Sequence, residues 1–160
     1  MTIITLHTMI KAPIATVFDA ARNIDLHMKS AHKTREEAIA GKTSGLINLY
    51  ETVTWKGKHF GCYLQHQSKI TSFRYPTYFI DEMIKGHFKS FKHQHIFKET
   101  TSGTEMIDVL EYKTPYGFIG RLFDRLLLEK HLTTFLKIRN NHIKIETEKI
   151  ALIKSKPEKF

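Results

Sequence analysis

The sequence has only one cysteine, Cys62, among its 160 residues. A single cysteine excludes an internal disulfide framework and any Cys-x-x-Cys metal or redox motif. It also fits a reducing compartment, so we expect a cytoplasmic protein. No run approaches the roughly 18 apolar residues that a membrane span requires, and the apolar N-terminus lacks the basic leader and small-residue cleavage site of a signal peptide. We therefore expect no stable insertion into a membrane.

The composition otherwise matches an ordinary globular domain. Hydrophobic residues make up 41% of the sequence and charged residues 26%, which argues against disorder. The length predicts a single domain, which we place at residues 1–150, followed by a polar basic tail at residues 151–160. A chain of this size can bury about two-thirds of the surface that it exposes when unfolded.

Positive charge is in excess, with a net charge of +9 at pH 7. From Arg121 onward, ten Lys and Arg residues oppose five Asp and Glu residues at helical spacing, a pattern typical of a solvated helix face. A nucleic-acid footprint requires a clustered patch with aromatic side chains or a known binding motif. Neither is present, so we expect no nucleic-acid partner. A regulatory interaction protein that uses its basic surface stays open as an alternative.

The first forty residues predict one strand and two short helices. Thr2–Lys11 alternates and is rich in β-branched residues, as strands are. After Pro13, apolar residues recur at intervals of three and four up to Ala21, which predicts a short amphipathic helix. Ile24–Ser30 predicts a second helix, whereas the polar stretch Lys33–Ala40 is ambiguous.

The middle of the chain predicts a block of strands. The β-like runs are Leu46–Thr54, Lys58–Ile70, Tyr78–Lys85, Phe88–Glu99 and Glu105–Lys113. The turn signals between them are Lys56-Gly57, Tyr75-Pro76, Lys85-Gly86 and Ser102-Gly103. Short connections of this kind favour neighbouring antiparallel strands. The turn signal at Lys56-Gly57 is weak, and a bulge within one long strand is the alternative there.

The last third changes to a helical period. Apolar residues at intervals of three and four predict a long amphipathic helix from about Tyr116 to about Glu148. At 1.5 Å per residue it spans roughly 45–50 Å, enough to cross a whole sheet. A curved antiparallel sheet must bury one face, and this helix is its only large apolar partner. Because one helix cannot fill a wide concave sheet, we expect an internal cavity.

Several short stretches carry a resemblance that covers about residues 3–145. They are Ala21–His27, Ala40–Ile47, Val53–Trp55, His59–Gly61, Phe79–Met83, Gly86–Phe97, Gly103-Thr104, Met106–Asp108, Tyr112–Gly117, Gly120–Leu122 and Arg139-Asn140. In these stretches the chain resembles a single-domain bacterial branch of the START-like, or SRPBCC, superfamily, whose members are often labelled cell-division inhibitors or polyketide cyclase-like. The resemblance implies an α+β helix-grip fold, in which a curved antiparallel sheet wraps around a long C-terminal helix, with two short helices after the first strand. The resemblance implies little about function, because the branch has no agreed substrate or catalytic residues.

The predicted strand around Phe91–Phe97 holds the most informative side chains. Strand side chains alternate, so Phe91, His93, His95 and Phe97 share one face. Two imidazoles between two aromatic rings are typical of an apolar cavity wall with a few polar groups, which is how small-molecule sites are built. Two core histidines satisfied by hydrogen bonds are the alternative.

Two carboxylates, Asp81 and Asp108, lie in otherwise apolar strands and need partners if they point inward. The candidate partners are His93, His95, His59 and Arg22. A metal site could take two ligands from His93 and His95, and a third from Asp81, Asp108 or His59. None of these is a convincing third ligand by sequence, and the histidines that look scattered add nothing: His7, His27, His66, His131 and His142. We therefore expect no metal and no cofactor.

The leading function is the binding of a hydrophobic or aromatic small molecule between sheet and helix. The predicted ligand-binding residues are Trp55, His59, Phe79, Asp81, Phe91, His93, His95, Asp108, Tyr112, Phe123 and Leu127. The alternative is a cyclase, dehydratase or hydrolase that uses His93 or His95 as acid or base. We lean against an enzyme, because Cys62 lies on the opposite strand face from His59 and no nucleophile elbow is present. The sequence leaves the oligomeric state open.

Overall fold

Residues 1–155 of the molecule form seven β-strands, three short helices and one long C-terminal helix. The computed structural model describes residues 1–155. Its strands are β1 Thr2–Ile10, β2 Glu37–Gly41, β3 Thr52–His59, β4 Cys62–Arg74, β5 Tyr78–Lys85, β6 Ser90–Thr100 and β7 Gly103–Lys113. Its helices are α1 Ile14–Ala21, α2 Ile24–Ser30, α3 Gly117–Phe123 and α4 Glu129–Ser155, and a π-helical turn, Asp124–Leu128, joins α3 to α4.

The seven strands form one antiparallel sheet in the order β1-β7-β6-β5-β4-β3-β2. Every strand from β2 to β7 pairs with its neighbour in sequence, and β1 closes the series by pairing with β7. Register shifts in β4, at Gln67/Ser68 and Ile70/Ser72, bend the sheet as bulges do. The sheet therefore curves around the C-terminal helix, as expected for an α+β helix-grip fold.

The C-terminal helix runs without a break from Gly117 to Ser155, with the π-turn inside it. It extends seven residues past the predicted end near Glu148. Apolar residues at helical spacing, among them Leu132, Leu136 and Ile143, turn its buried face toward the rest of the molecule, and α4 packs against β1, α1 and α2. Residues 151–155 of the predicted tail are helical, and residues 156–160 lie outside the described part of the chain. No helix within residues 1–155 has an apolar stretch long enough to cross a membrane.

The prediction of a turn at Lys56-Gly57 is wrong, because β3 continues through Gly57 to His59. A Cβ at Gly57 would lie 2.6 Å from Glu36 Cγ, so this glycine permits a close approach. The chain reverses instead at Phe60 and Gly61, whose φ angles of 50° and 82° suit a two-residue hairpin.

The hairpin at Phe60-Gly61 also corrects the interpretation of Cys62. His59 and Cys62 are opposite one another in the register of β3 and β4, so they share a sheet face and both border the same cavity. The sequence placed them on opposite faces because it assigned both to one strand. The ambiguous stretch before them contains β2, a short edge strand with mostly exposed residues.

The buried apolar residues form two clusters. In the first, Phe18 of α1 makes edge-to-face contacts with Phe73, Phe79 and Phe97 at centroid distances of 5.1–5.5 Å. The second cluster lies between strands β1 and β7 and the C-terminal helix. It contains Ile4, Leu110, Tyr112, Leu128, Leu132 and Leu136. Residues from both clusters border the space that the helix leaves unfilled.

Candidate functional site

A cavity of about 610 Å³ lies between the concave face of the sheet and helices α2 and α4. Its wall is mostly apolar, and the strands supply alternate residues because every second side chain points inward. Val53, Trp55 and His59 come from β3, and Phe91 and His93 come from β6. The cavity expected from the sequence is therefore present.

The structure brings most of the predicted site residues together around this cavity. Those that border it are Trp55, His59, Phe79, Asp81, Phe91, His93, His95 and Phe123. Asp81, whose direction the poor alternation of its strand left open, is partly buried and faces the cavity. That these side chains contact a ligand stays a prediction.

Three predicted site residues do not border the cavity. Asp108 is fully buried behind the two histidine rings. Tyr112 is buried in the second apolar cluster, where its hydroxyl donates a hydrogen bond to Asp124 at 2.5 Å. Leu127 is 53% exposed, because the π-turn shifts the helical phase and turns Leu128 inward instead.

Six buried or partly buried polar side chains lie together in what we call the inner cluster: Asp81, His93, His95, Asp108, Arg139 and Asn140. The sheet register positions its strand members. Asp81 of β5 pairs with His93 of β6, and His95 of β6 pairs with Asp108 of β7. Directly paired residues point to the same face, so the four side chains converge.

Each imidazole of the inner cluster lies between the same two carboxylates. His93 Nε2 donates to Asp108 Oδ1 at 2.9 Å, and its Nδ1 lies 4.0 Å from Asp81 Oδ2. His95 Nε2 donates to Asp81 Oδ2 at 3.3 Å. The Nδ1 of His95 lies 2.9 Å from Asp108 Oδ1, yet it is buried and makes no hydrogen bond in this arrangement.

Helix α4 holds Asp108 from the other side. Asn140 Nδ2 donates to Asp108 Oδ2 at 2.7 Å, and Arg139 Nη1 lies 3.5 Å from Asp108 Oδ1. Arg139 Nη2 also donates to the carbonyl oxygen of Ala21 at 2.9 Å, which ties α4 to α1. Arg139 itself borders the cavity. Arg139 and Asn140 interrupt the apolar stripe of the helix, and that interruption is the sequence signal that identifies them.

Ion pairing keeps both carboxyls of the inner cluster ionised. Burial by itself would raise the pKa of Asp108, but hydrogen bonding from His93 and the nearby ring of His95 hold that pKa well below its usual value. Burial by itself would also raise the pKa of Asp81. The hydrogen bond from His95 and the nearby imidazoles outweigh burial, so the pKa of Asp81 is lower than its usual value. Burial lowers the pKa of His93, and the adjacent His95 adds to that effect.

The prediction that Asp81 and Asp108 pair with histidine is confirmed for His93 and His95. The other two candidate partners are engaged elsewhere. Arg22 Nη2 lies 2.8 Å from Asp19 Oδ1, and His59 pairs with Glu36.

A second group of polar side chains, the rim network, lies beside the exposed hairpin at Phe60: His27, Glu36, His59 and His131. Glu36 accepts a hydrogen bond from His27 Nε2 at 2.7 Å through Oε2. Its other oxygen, Oε1, lies 3.3 Å from His59 Nε2. On the other side of its ring, His59 Nδ1 lies 3.0 Å from His131 Nε2.

Paired imidazoles hold the carboxyl of Glu36 in its ionised form. Burial would raise the pKa of Glu36, but its contacts with His27 and His59 lower that pKa from 4.5 to about 2. Burial and the neighbouring His59 lower the pKa of His131. All four residues border the cavity.

The rim network is not evident from the sequence, because His27 and His131 are scattered along it. Its members come from α2, the residue before β2, the end of β3, and α4, so no spacing along the chain connects them. Aromatic contacts frame the group: His27 lies over Trp55 at a centroid distance of 4.2 Å, and Phe60 lies 4.6 Å from His131.

Comparison with known proteins identifies the fold. No protein-family model and no curated protein matches the sequence. Solved structures do match over nearly the whole chain. The protein TTHA0849 from Thermus thermophilus shares 14% identity with a TM-score of 0.71, covering 97% of this chain and 100% of that one. Major latex-like protein 151 from Panax ginseng shares 13% identity with a TM-score of 0.65, covering 91% and 97%.

A third match is the KanY protein, with 13% identity, a TM-score of 0.73, and coverage of 92% of this chain and 97% of that one. Identities this low establish the architecture and leave function to the site itself. The element order, the cavity and these similarities agree, and the chain therefore has a helix-grip fold.

Proposed function

We propose that the protein is a cytoplasmic binding protein that holds a hydrophobic or aromatic small molecule in its internal cavity. The supporting observation is the cavity of about 610 Å³ with a mostly apolar wall. Small-molecule sites usually measure about 300–1,000 Å³, with apolar walls and a few placed polar groups. The size and composition of this cavity fit that description.

The apolar part of the wall favours a flat or ring-containing ligand. Trp55, Phe79 and Phe91 border the cavity from three different strands. Aromatic side chains offer large apolar surfaces and prefer offset-stacked or edge-to-face contacts with other rings. Transfer of a ligand out of water onto such walls contributes roughly 25 cal/mol for each Å² of apolar surface buried.

The polar groups lie in two separate places, which gives a bound ligand a direction. The inner cluster presents Asp81, His93 and Arg139 to the cavity, and the rim network presents Glu36 and His131. A ligand with a polar group at one end gains hydrogen bonds at the inner cluster while its apolar body contacts the strands. The proposed ligand is therefore mainly apolar with a polar end.

We infer that the cavity opens where the hairpin and the C-terminal helix meet, because Phe60 and Phe123 border the cavity and are also exposed. The Phe60 and Phe123 rings are in edge-to-face contact at a centroid distance of 5.2 Å. Both side chains are substantially exposed, at 50% and 40%. Small movements of two surface rings are enough to admit a ligand, because neither ring is fixed by surrounding core.

Binding is testable with a neutral fluorescent probe, N-phenyl-1-naphthylamine. Wild-type protein is expected to enhance its fluorescence in a saturable way. Leu64→Trp places a large side chain in the cavity from β4, whereas Tyr63→Trp places the same side chain on the exposed outer position beside it. We expect Leu64→Trp to weaken probe binding about tenfold or more and Tyr63→Trp to leave it unchanged.

Native mass spectrometry of protein purified from its own host supplies the second measurement. The expected result is a bound small molecule that dissociates on unfolding and is absent from Leu64→Trp. No probe binding by wild-type protein, or equal binding by the two tryptophan variants, would contradict the proposal.

A further inference from the structure

We propose that Asp81, His93 and His95 form a binding site for a divalent transition-metal ion, with Asp108 as the carboxylate that orients both histidines. The site would hold Zn²⁺ or Fe²⁺ on the cavity side of the inner cluster. The proposal stands independently of small-molecule binding, because it concerns the protein and the ion alone. The sequence offered no convincing third ligand, and the structure places Asp81 in that position.

The three side chains are close enough to share one ion. One candidate ligand atom from each residue lies within 4.8 Å of the others. Asp81 Oδ2 lies 3.3 Å from His95 Nε2 and 4.0 Å from His93 Nδ1. Bonds of about 2.0–2.1 Å in a tetrahedral site separate ligand atoms by roughly 3.4 Å. Asp81 Oδ2 is already at that distance from His95 Nε2, whereas the His93 ring has to move closer for the three atoms to bind one ion.

The second nitrogen of each ring meets the requirement of metal-bound histidine. Such a histidine almost always donates its other N–H to a carboxylate or carbonyl. His93 Nε2 and His95 Nδ1 each lie 2.9 Å from Asp108 Oδ1. One carboxylate therefore faces the non-ligating nitrogen of both rings.

The buried Nδ1 of His95 also bears on the proposal. It lies 2.9 Å from Asp108 Oδ1 but makes no hydrogen bond in the present orientation of the ring, so a small rotation of the ring is needed before its N–H can donate to that carboxylate. If Nε2 binds an ion, a neutral ring carries its proton on Nδ1, which faces Asp108. Metal binding thus assigns a role to both nitrogens of a ring that is only 2% exposed.

The charges of the inner cluster also favour a cation. Asp81 and Asp108 contribute two negative charges, and Arg139, which approaches only Asp108, contributes one positive charge. Histidine binds a metal as the neutral ring, so when both rings act as ligands the side chains of the inner cluster carry one net negative charge, which is costly in a buried place if it is not compensated. A divalent ion beside Asp81 compensates it.

The ligand types select the class of ion. Two imidazole nitrogens and one carboxylate oxygen suit Zn²⁺ in an open site and also Fe²⁺ in a two-histidine, one-carboxylate site. Asp81, His93 and His95 all border the cavity, so the remaining coordination positions face open space.

The rim network is a weaker candidate. Both oxygens of Glu36 already contact imidazole nitrogens. Within residues 1–155, the group of Asp81, His93 and His95 is the one in which three candidate ligand atoms lie within reach of a single ion.

Titration of untagged, chelator-treated protein with Co²⁺ tests the proposal, because Co²⁺ bound by nitrogen and oxygen ligands absorbs visible light. We expect absorbance to saturate at one Co²⁺ per chain, and Zn²⁺ or anaerobic Fe²⁺ to displace it. Asp81→Asn and His95→Gln should weaken binding at least about 100-fold. Asp108→Asn should weaken it about 10–100-fold, as loss of an orienting carboxylate does.

His7→Gln is the matched control, since His7 also lies 2.9 Å from a carboxylate, that of Glu105, but on the surface. It should bind Co²⁺ as the wild type does. Far-UV circular dichroism checks the fold of each variant, and the wild-type titration is decisive even if a variant fails to fold. Absence of Co²⁺, Zn²⁺ and Fe²⁺ binding by wild-type protein, or binding retained in Asp81→Asn and lost in His7→Gln, would overturn the proposal.

Discussion

The inner cluster and the rim network combine carboxylate and imidazole in different proportions. The inner cluster has two carboxylates, two histidines and Arg139, whereas the rim network has one carboxylate, Glu36, and three histidines. Two carboxylates leave the inner cluster with a need for positive charge. A single carboxylate contacted through both oxygens leaves the rim network satisfied.

The two groups also differ in how they are held. Strand register fixes Asp81, His93, His95 and Asp108 on three adjacent strands, and Asp108 is fully buried. The rim residues come from separate elements beside an exposed hairpin, and Glu36 retains 11% exposure of its side chain. The inner cluster is therefore placed mainly by the register of three adjacent strands, whereas the rim network joins residues from four separate parts of the chain.

The largest expected effect is the loss of folding stability when the inner cluster loses a carboxylate. Asp108→Ala removes the carboxylate that faces both inner histidines and leaves Arg139 without its buried counter-charge. Breaking a buried pair in this way costs about 3–5 kcal/mol, measurable by urea denaturation. The control is Glu105→Ala on the same strand, whose partner His7 is 59% exposed, and a loss below about 1 kcal/mol is expected there. Equal losses of stability in both variants would show that Asp108 stabilises the fold no more than a surface carboxylate does.

An intermediate effect concerns Glu36 and acid. Because the pKa of Glu36 falls from 4.5 to about 2 on folding, the folded state binds fewer protons than the unfolded state between these values. Its contribution is therefore complete above about pH 4.5 and is lost as the pH falls toward 2. Glu36→Gln should lower stability by about 2–3 kcal/mol at neutral pH, since each pKa unit corresponds to about 1.4 kcal/mol.

Urea denaturation as a function of pH measures this effect. The stability of the Glu36→Gln variant should change less than that of wild type between pH 4.5 and 2, so that the two curves converge at the acid end. The adjacent and exposed Glu37 gives the control, Glu37→Gln, which should stay within about 0.5 kcal/mol of wild type. Parallel curves for wild type and Glu36→Gln would contradict an ion-paired rim.

The smallest effect on stability is expected at the opening. Phe60→Ala removes a half-exposed ring that contacts Phe123 and His131, so it should cost less than about 1 kcal/mol. Uptake and release of N-phenyl-1-naphthylamine in stopped-flow experiments should both become faster. Tyr63→Ala, at an equally exposed position of the same hairpin, should leave the rates unchanged. Unchanged rates in Phe60→Ala would place the ligand route elsewhere.

Local patterns predicted the elements that have a clear period or a clear boundary. The bounds of α2 and β5 agree with the prediction, because a change of period or a turn signal marks each end. The inward direction of His93 and His95 also agrees, since alternation along a strand depends only on the strand itself. Phe91, on the same strand, also borders the cavity as the same rule predicts.

The errors occur where the local signal is ambiguous. Gly57 resembles a turn residue but permits the close approach of Glu36 within a strand. Strand β2 is short and mostly exposed, so it shows little apolar alternation. Leu127 was predicted to contact the ligand, but in the run of three leucines within the π-turn it is Leu128 that is buried, and Leu127 is exposed.

The strand and helix periods, the excess of positive charge and the face shared by His93 and His95 can be read from the amino-acid sequence, because these properties depend on composition and on neighbouring residues. Three features need the folded chain: which carboxylate faces each histidine, the direction of Asp81 into the cavity, and the meeting of His27, Glu36, His59 and His131 at the rim. Those contacts join residues far apart in the chain, and their distances depend on sheet curvature and helix placement, which no local pattern specifies.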